Sequence, residues 1–310
     1  MGLTVQHKRL ILFFALLLLP LSMAAPVLGQ SWSFSVVGDS RSGARDFKAA
    51  LNRIRDAKGT AGHAPNPSEF IVVAGDFDPD DTNYSLYHDV FSGKPYSRFL
   101  PVIGNHDADY RSFIIDTIMP REGLHAAFDS STVSYYLDER NVRLIVVDQY
   151  QGTGFNSGCI NDAGIRWVEQ AITSAKDADH IFIAIHVPAF CRVRHVGEDF
   201  EACPDQRNRF WDMLVRHRDK VRGVLAAHTH HYSVMRVRDP RGPASDGRSY
   251  PLETDGIYQF DVGGAGHSED GKITVVTFFI DGKAASAQVV QSPIGQTRFS
   301  VTRELDLMAQ

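Results

Sequence analysis

Carboxylate, amide and imidazole side chains recur directly after apolar runs in this sequence, and together they are the donor types of a metal centre. Carboxylate and amide oxygens combined with imidazole nitrogens suit Mn²⁺, Zn²⁺ or iron, whereas Ca²⁺ prefers oxygen ligands alone. The candidate ligands are Asp39, Asp76, Asn105, His186, His228 and His230.

This mixture of donors predicts two metal ions held close together. Two dications repel each other strongly, so a carboxylate is needed to bridge them. Water bound between two such ions loses a proton readily and becomes a nucleophile.

The apolar runs before these residues read as strands that must position them. They cover residues 32–37, 70–74, 99–103, 144–147, 180–185 and 221–227. Helical patterns lie between them, over residues 47–54, 165–175 and 210–214. Alternating strands and helices predict an α/β core in which ligands bind beyond the carboxyl ends of the strands.

The C-terminal part of the chain has strand patterns without intervening helices. Strands are expected at 232–237, 257–262, 273–280 and 284–290, and residues 133–147 read as a hairpin. Mixed strands in one domain predict two packed sheets with helices outside. Two further stretches, 188–203 and 239–251, read as long loops, and loops of that length are usually functional or mobile.

The composition is that of an ordinary globular protein. The chain has 310 residues, of which 43% are hydrophobic and 22% charged, and its formal net charge is −5. A negative charge argues against a general nucleic-acid binder or a binder of anionic membranes, because such proteins carry a basic excess. The sequence does not indicate an oligomeric state.

The first 29 residues have the pattern of a secretory signal peptide. Lys8 and Arg9 precede an apolar run over residues 10–21, and small residues follow. The run is shorter than the roughly 20 apolar residues of a membrane-spanning helix. We therefore expect cleavage, a secreted or periplasmic protein, no membrane anchor after cleavage, and one domain over residues 30–310.

An exported chain with an odd number of cysteines can form one intramolecular disulfide and leave one thiol. Cys191 and Cys203 are close in sequence and are the preferred pair, closing the loop after His186. A pairing of Cys159 with either of them stays open.

Taken together, these segments resemble the calcineurin-like metallophosphoesterase superfamily. Its pattern combines Asp-x-His, Gly-Asp, Gly-Asn-His-Asp, a histidine at a strand end and Gly-His-x-His. This chain has the elements in the same order from Gly38 to His230, with Ala227 in place of the last glycine. The resemblance implies a four-layer sandwich of two packed mixed β-sheets flanked by helices, and two divalent or trivalent ions of Mn, Zn or Fe.

The resemblance also implies roles for individual residues. Asp76 is expected to bridge the metals, and Asp39 and His230 are expected to complete one site. The other site is expected to contain Asn105, His186 and His228.

A catalytic acid follows from the same resemblance. By this resemblance His106, held by Asp107, is expected to face the phosphate and to protonate or stabilise the leaving oxygen. A neighbouring carboxylate raises the pKa of an imidazole and so favours that role.

The chain departs from the pattern at Arg41, which stands where the family has the histidine of Asp-x-His. A guanidinium stays protonated and offers no lone pair to a metal, so one site is a ligand short. Arg41 could hold a phosphate oxygen or form a salt bridge to Asp39 or another carboxylate. Purple acid phosphatases, which also lack that histidine, use a tyrosine where this chain has Pro79, so Asp78, Asp80 or water could fill the gap.

Other polar residues near the strand ends have simpler explanations. Asp148 is expected to cap a loop. His231 and His267 could line the site, although a place in the core or on the surface is the simpler expectation for each. A positive rim for an anionic substrate could come from Arg192, Arg194, His195 and Arg207, although a solvated loop is the default.

The resemblance therefore predicts an exported phosphoesterase that hydrolyses phosphate mono- or diesters of small molecules. The alternative is a single-metal or non-catalytic relative that binds a phosphorylated ligand.

Overall fold

The computed structural model describes residues 31–57, 68–93, 97–151, 158–241 and 256–308. The predicted signal peptide, residues 1–29, lies outside the described residues. Within the described ranges, every helix is too short or too polar to cross a membrane.

Twelve strands and six α-helices make up the described part of the fold. The strands are Trp32–Val37 (β1), Phe70–Val73 (β2), Arg98–Pro101 (β3), Tyr135–Glu139 (β4), Val142–Val146 (β5), His180–Ala184 (β6), Val221–Ala226 (β7), Tyr232–Val237 (β8), Ile257–Val262 (β9), Lys272–Asp281 (β10), Ala284–Pro293 (β11) and Ser300–Asp306 (β12). The helices are Ala44–Arg55 (α1), Asp80–Phe91 (α2), Arg111–Phe113 (α3), Met119–Arg121 (α4), Asp162–Ser174 (α5) and Pro204–Arg216 (α6).

The strands form two mixed sheets of six strands each. The first has the order β12-β11-β10-β1-β2-β3, and the second has the order β4-β5-β6-β7-β9-β8. β1, β2 and β3 run parallel, as do β5, β6, β7 and β9. The parallel strands in each sheet are the ones that carry the predicted site residues, so those residues gather at the carboxyl ends.

Aromatic side chains join the inner faces of the two sheets. Phe34 from β1 packs edge-on against Phe182 from β6, with ring centroids 5.1 Å apart. Phe278 from β10 packs in the same way against Phe260 from β9, again at 5.1 Å. All four rings are fully buried. The two sheets are therefore fixed relative to each other by a continuous apolar core.

Helices cover the outer faces. α1 packs on α2 and on β10, and α5 packs on α6. The start of α5 is capped by Asn161, whose side chain accepts a hydrogen bond from the Gly164 N–H at 2.9 Å. Such a cap satisfies one of the free N–H groups of the first helical turn. The chain thus has the expected fold class, an α/β sandwich of two mixed sheets flanked by helices.

The preferred disulfide pairing is wrong. Cys159 pairs with Cys203, and Cys191 is a buried free thiol. Cys159 lies just before α5 and Cys203 just before α6, and these two helices pack on each other. Cys191 instead follows Phe190, which packs on Trp211 in the core. Short separation in sequence was therefore a poor guide, because helix packing decides which cysteines meet.

Candidate metal centre

The six predicted ligands come together where the carboxyl ends of the two sheets meet. Asp39, Asp76 and Asn105 follow strands of the first sheet, and His186, His228 and His230 follow strands of the second. We call the cluster of Asp76, Asn105, His186 and His228 the His186 site, and the cluster of Asp39, Asp76 and His230 the His230 site.

Donor atoms at the His186 site lie close to the His186 ring. The His186 Nε2 atom lies 3.2 Å from Asn105 Oδ1 and 3.4 Å from Asp76 Oδ1. The His228 Nδ1 atom lies 3.2 Å from His186 Nε2. Two imidazole nitrogens, one amide oxygen and one carboxylate form a donor set that suits Mn²⁺, Zn²⁺ or iron.

Hydrogen bonds to the other ring nitrogens turn lone pairs toward this site. His186 Nδ1 lies 2.8 Å from the Ala74 carbonyl oxygen, which can only accept, so Nδ1 donates and Nε2 is free to bind. His228 Nε2 lies 2.8 Å from the Asp199 carboxylate, so its Nδ1 atom is free. A metal-binding histidine usually donates its second N–H to an oxygen in this way. Both histidines are therefore oriented as ligands.

The His230 site has fewer donors. Asp39, Asp76 and His230 place one ligand atom each within 4.8 Å of one another. The Asp39 carboxylate also accepts the His228 backbone N–H at 3.0 Å. The Arg194 Nη1 atom lies 2.5 Å from His230 Nδ1 and is also paired with the Glu269 carboxylate. A guanidinium, not an oxygen acceptor, therefore contacts the second ring nitrogen of His230.

Arg41 does not contribute a ligand and does not pair with Asp39. Its Nε atom lies 3.4 Å from Asp78 Oδ1, and its Nη1 atom lies 3.0 Å from His106 Nε2. The salt bridge to a carboxylate was one of the two expectations for this residue, and the carboxylate is that of Asp78. The side chain stays about one quarter exposed, so it is accessible to a ligand beside the site.

The expectation that Asp107 holds the His106 ring is wrong. The Asp107 carboxylate accepts the backbone N–H groups of Asp76, Phe77 and Gly104 at 2.7 to 2.9 Å. These bonds use its oxygens to fix the loops after β2 and β3, because the side chain is buried beneath them. The exposed His106 ring contacts Arg41 instead, and its backbone N–H donates to Asp76 Oδ1 at 3.0 Å.

Burial governs the electrostatics of the acidic groups. Burial, and then the neighbouring Asp76 and Asp261 charges, raise the pKa of Asp39 well above its usual value. Burial also acts to raise the pKa of Asp76, but the charges of His186, His106 and His228 and a hydrogen bond from the His106 N–H outweigh it and lower that pKa. Two adjacent buried carboxylates need a cation nearby to ionise together, which fits a metal centre.

The backbone is strained at the same residues. Seven of the eight non-glycine residues with positive φ in the described ranges belong to the site or contact it, and the eighth is Arg140. The seven are Asp39, Arg41, Asp76, His195, Asp199, His228 and His230. Side chains other than glycine rarely adopt this conformation, and such strain clusters at functional sites.

Two glycines make room for the ligands. A Cβ on Gly104 would lie 2.2 Å from Asp76 Oδ1, and one on Gly75 would lie 2.3 Å from His186 Nδ1. Gly75 also has a φ of +89°, which favours glycine. The glycines of the Gly-Asp and Gly-Asn segments thus allow close approach of the chain to the metal ligands.

The loop of residues 188–203 supplies residues that sequence reasoning missed or left undecided. Asp199 was missed, although its carboxylate orients His228. Arg194 lies against His230, and the His195 ring stacks on His228 with centroids 4.4 Å apart. A carboxylate in a long loop carries no signal by itself. The loop's place beside His186 in the sequence was the available clue.

The remaining candidates divide between the site and the scaffold. The His267 ring lies edge-on to His230 at 4.4 Å, and so it lines the His230 site. Arg207 stacks over Phe190 and donates to Pro240 O, which places it away from the proposed rim. Asp148 pairs with Arg111 and accepts the Val133 and Tyr150 N–H groups, as a loop-capping residue would. Arg192 is exposed. His231 bonds to the carbonyl of Thr229 at 2.9 Å.

Solved structures share this fold. A dimetal phosphatase from Danio rerio aligns with a TM-score of 0.58 at 11% identity, covering 90% of this chain and 99% of that one. GAP50, described as the anchor in the inner membrane complex of Plasmodium, aligns with a TM-score of 0.57 at 14% identity, covering 89% of each chain. At such identities the likeness is one of fold.

Sequence comparison goes further for the family. No curated protein sequence matches this chain. The sequence model of the calcineurin-like phosphoesterases matches residues 33–232, a stretch that contains all six ligand candidates and most of the described domain. The chain therefore belongs to the calcineurin-like phosphoesterase family.

Proposed function

We propose that this protein is an exported, metal-dependent phosphoesterase that hydrolyses phosphate mono- or diesters of small molecules. The observation that supports this best is the His186 site, where four donors converge with two histidine lone pairs turned toward them. A divalent ion bound there supplies Lewis-acid activation of water and of the phosphoryl oxygen. Family membership is consistent with this chemistry.

The chain's own residues would bind and orient the substrate. Arg41 lies partly exposed beside Asp78, and its guanidinium can hold a phosphate oxygen through two N–H groups. His106 lies next to it with its side chain 40% exposed, within reach of a leaving oxygen. Asp107 fixes the loops that carry Asp76 and His106 and is not expected to meet the substrate.

Hydrolysis of aryl phosphate monoesters and diesters by the chelator-stripped protein, with Mn²⁺, Zn²⁺ or iron added back, tests the function. Activity should return with metal and disappear in Asn105→Ala, which removes one amide donor from the His186 site. The matched control is Asp116→Asn, at an exposed position on the helical segment after β3. Full activity after exhaustive removal of metal would exclude a metal mechanism.

The acid role of His106 has its own test. In the structure Arg41 donates to His106 Nε2, so protonation of this atom requires Arg41 to turn to the substrate. We expect His106→Ala to reduce kcat by about 10²-fold or more for alkyl phosphates, within the range of a positioned acid, and much less for aryl phosphates. Equal losses for both classes would restrict His106 to positioning Arg41.

Binding of a phosphorylated ligand without turnover is the second candidate function. The observation in its favour is the pair of guanidinium groups, Arg41 and Arg194, beside the His230 site. Saturable binding of inorganic phosphate by a metal-loaded protein that hydrolyses neither ester class would favour this candidate over the first.

Export is a proposal from the N-terminal sequence. The Cys159–Cys203 disulfide supports it, since such bonds persist mainly in oxidising compartments. Mass spectrometry of the protein from its native host should find a mature N-terminus near residue 25 or 30, after the small residues of the predicted signal peptide. An intact Met1 in active protein would contradict it.

A further inference from the structure

In the Ala-His-Thr-His segment, the two histidines have partners of opposite charge at the ring nitrogen that points away from the metal site. His228 Nε2 faces the Asp199 carboxylate at 2.8 Å. His230 Nδ1 faces the Arg194 guanidinium at 2.5 Å. Both partners come from the loop of residues 188–203, so one loop sets the proton positions of both rings.

These contacts determine which ring nitrogen has a free lone pair. A carboxylate accepts, so His228 carries its proton on Nε2 and offers Nδ1 to the His186 site. A guanidinium only donates and stays protonated, so His230 Nδ1 accepts and the proton of the neutral ring is on Nε2. Nε2 is the atom of His230 that faces Asp39, 3.9 Å from Oδ1. His230 therefore directs an N–H, and not a lone pair, toward the His230 site.

The same site is the one that lacks the family's histidine. Arg41 stands there, 3.0 Å from His106 and 3.4 Å from Asp78. Its positive charge and that of Arg194 both act on His267, whose ring packs at 4.4 Å on His230. Of the group of Asp39, Asp76 and His230, the two carboxylates therefore remain available as donors. A dication would meet two guanidinium groups, each paired with a carboxylate, and a misdirected imidazole.

We propose that this protein holds one tightly bound metal ion, at the His186 site, and that Arg41 and Arg194 disfavour a second ion at the His230 site. This proposal rests on the proposed metal-dependent function and specifies how many ions that function uses. Arg41 is paired with Asp78 and Arg194 with Glu269, and both guanidinium groups stay partly exposed, with N–H groups that can hold a phosphate oxygen.

Replacement of Arg194 tests the proposal, because Glu269 lies close to His230. Its Oε1 atom lies 3.7 Å from His230 Nδ1 and is paired with Arg194. In Arg194→Ala, Glu269 can accept the Nδ1–H of His230, which frees the Nε2 lone pair. The ring would then have the carboxylate-histidine arrangement typical of metal ligands.

The first measurement uses metal-free protein and ¹⁵N NMR of the histidine rings. We expect the proton of His230 on Nε2 in the wild type and on Nδ1 in Arg194→Ala. Arg192→Ala is the matched control, an exposed arginine of the same loop, and should keep the wild-type tautomer. A wild-type His230 with its proton on Nδ1 would overturn the proposal without bearing on hydrolysis.

The second measurement is Mn²⁺ titration by calorimetry, with electron paramagnetic resonance of the loaded protein. The wild type should bind one ion, with any second ion at least ~100-fold weaker, and give the signal of isolated Mn²⁺. The Arg41→His/Arg194→Ala double variant should bind the second ion ~10-fold or more tightly than the wild type, in the range for changes around metal ligands, and give a spin-coupled signal.

The outcomes separate this proposal from the proposed function. Two ions of similar affinity and a coupled signal in the wild type would overturn the single-ion proposal and leave a phosphoesterase. No bound ion at any concentration would overturn both. An unchanged affinity for the second ion in the double variant would overturn the proposal, because it would show that the two arginines do not weaken metal binding at the His230 site.

Discussion

At the scale of single residues, a metal-binding histidine depends on the oxygen that accepts a hydrogen bond from its other ring nitrogen. The carbonyl of Ala74 and the carboxylate of Asp199 hold the two rings of the His186 site in the tautomers that bind a metal. Asp199 is the stronger of the two partners, because a carboxylate also makes the ring a better donor. Its own pKa, although burial acts to raise it, is lowered by the hydrogen bond from His228.

Replacement of this carboxylate tests its role. We expect Asp199→Ala to weaken metal binding at the His186 site by ~10- to 100-fold, as is usual when the partner of a metal-binding histidine is lost. Asp199→Asn keeps an acceptor without the charge and should recover part of the affinity. Calorimetric titration of both variants with Mn²⁺ is the measurement.

The neighbouring Glu198 is the matched control for Asp199. It is exposed, lies in the same loop and bonds to His195 rather than to His228. Glu198→Ala should therefore bind metal as the wild type does. Equal losses in the Asp199 and Glu198 variants would mean that loop order, and not the contact to His228, sets the affinity.

At the scale of elements, the loops after β2 and β3 work as one unit. Asp107 ties them together through three backbone N–H groups, and Gly104 lets them approach. A Cβ at Gly104 would meet the carboxylate and the backbone nitrogen of Asp76 at 2.2 and 2.4 Å. The loop must shift to accept any side chain there, and Asp76 must shift with it.

We therefore expect Gly104→Ala to fold and yet to bind metal at least ~10-fold more weakly, because its effect falls on a ligand. Gly93→Ala is the control. It has open space around its Cβ but a φ of +69°, so it should cost about 1 kcal/mol of stability and leave metal binding unchanged. Wild-type affinity in Gly104→Ala would show that the loop adjusts without moving Asp76.

The disulfide anchors the loop of residues 188–203 at the start of α6. Removal of such a bond costs about 2–4 kcal/mol in most proteins, largely through the unfolded chain. We expect Cys203→Ser to lose stability in this range and to weaken metal binding, because Asp199 lies four residues away and its carbonyl contacts both sulfur atoms. Denaturant unfolding and Mn²⁺ titration measure the two effects.

Non-reducing peptide mapping should find the Cys159–Cys203 pair, with Cys191→Ala as a control that keeps it. A Cys203→Ser protein with unchanged stability and unchanged metal affinity would show that the loop is held by its other contacts. A Cys191–Cys203 peptide would contradict the pairing itself.

Strand ends could be predicted from sequence because apolar runs and the polar residues after them are local signals. The predicted hairpin and the strands that carry Asp39, Asp76 and His186 are present where expected. Strand β12 was missed. It lies at the edge of its sheet, and none of its residues is buried on either face. Contacts between distant segments, such as Asp199 with His228 or Cys159 with Cys203, depend on packing that no local pattern encodes.

At the scale of the whole molecule, the site is a junction between two sheets. The first sheet supplies both carboxylates and Asn105, whereas the second supplies all three histidines. The distance across the cluster is therefore set by the core between the sheets, where Phe34 and Phe182 meet. This architecture buries charged groups close to a rigid core, and it links stability to pH.

The metal-free protein should lose stability as the pH rises from about 6.5 to about 8. Burial raises the pKa of Asp261 to about 8, and burial with the neighbouring Asp107 raises the pKa of Asp80 to about 10, from a usual value of 3.8. At a pH between the usual and the raised pKa values, the folded state holds these protons and the unfolded state does not. Their contribution is therefore present at low pH and is lost as the pH rises through the raised values.

The buried histidines change the stability in the opposite direction, and they do so at lower pH. Burial lowers the pKa of His186 to about 4 from 6.5, so its contribution is lost as the pH falls below 6.5. Above that value the raised aspartates still titrate, and they include Asp107, whose pKa burial and the neighbouring Asp76 raise to about 8. Replacing Asp261 by Asn should flatten the decline of unfolding free energy by up to about 1.4 kcal/mol per pH unit, the value for one proton. Denaturant unfolding of the metal-free wild type and of Asp261→Asn across this range measures both slopes. A wild-type stability that stays level or rises between these pH values would show that Asp80 and Asp261 are ionised in the folded protein.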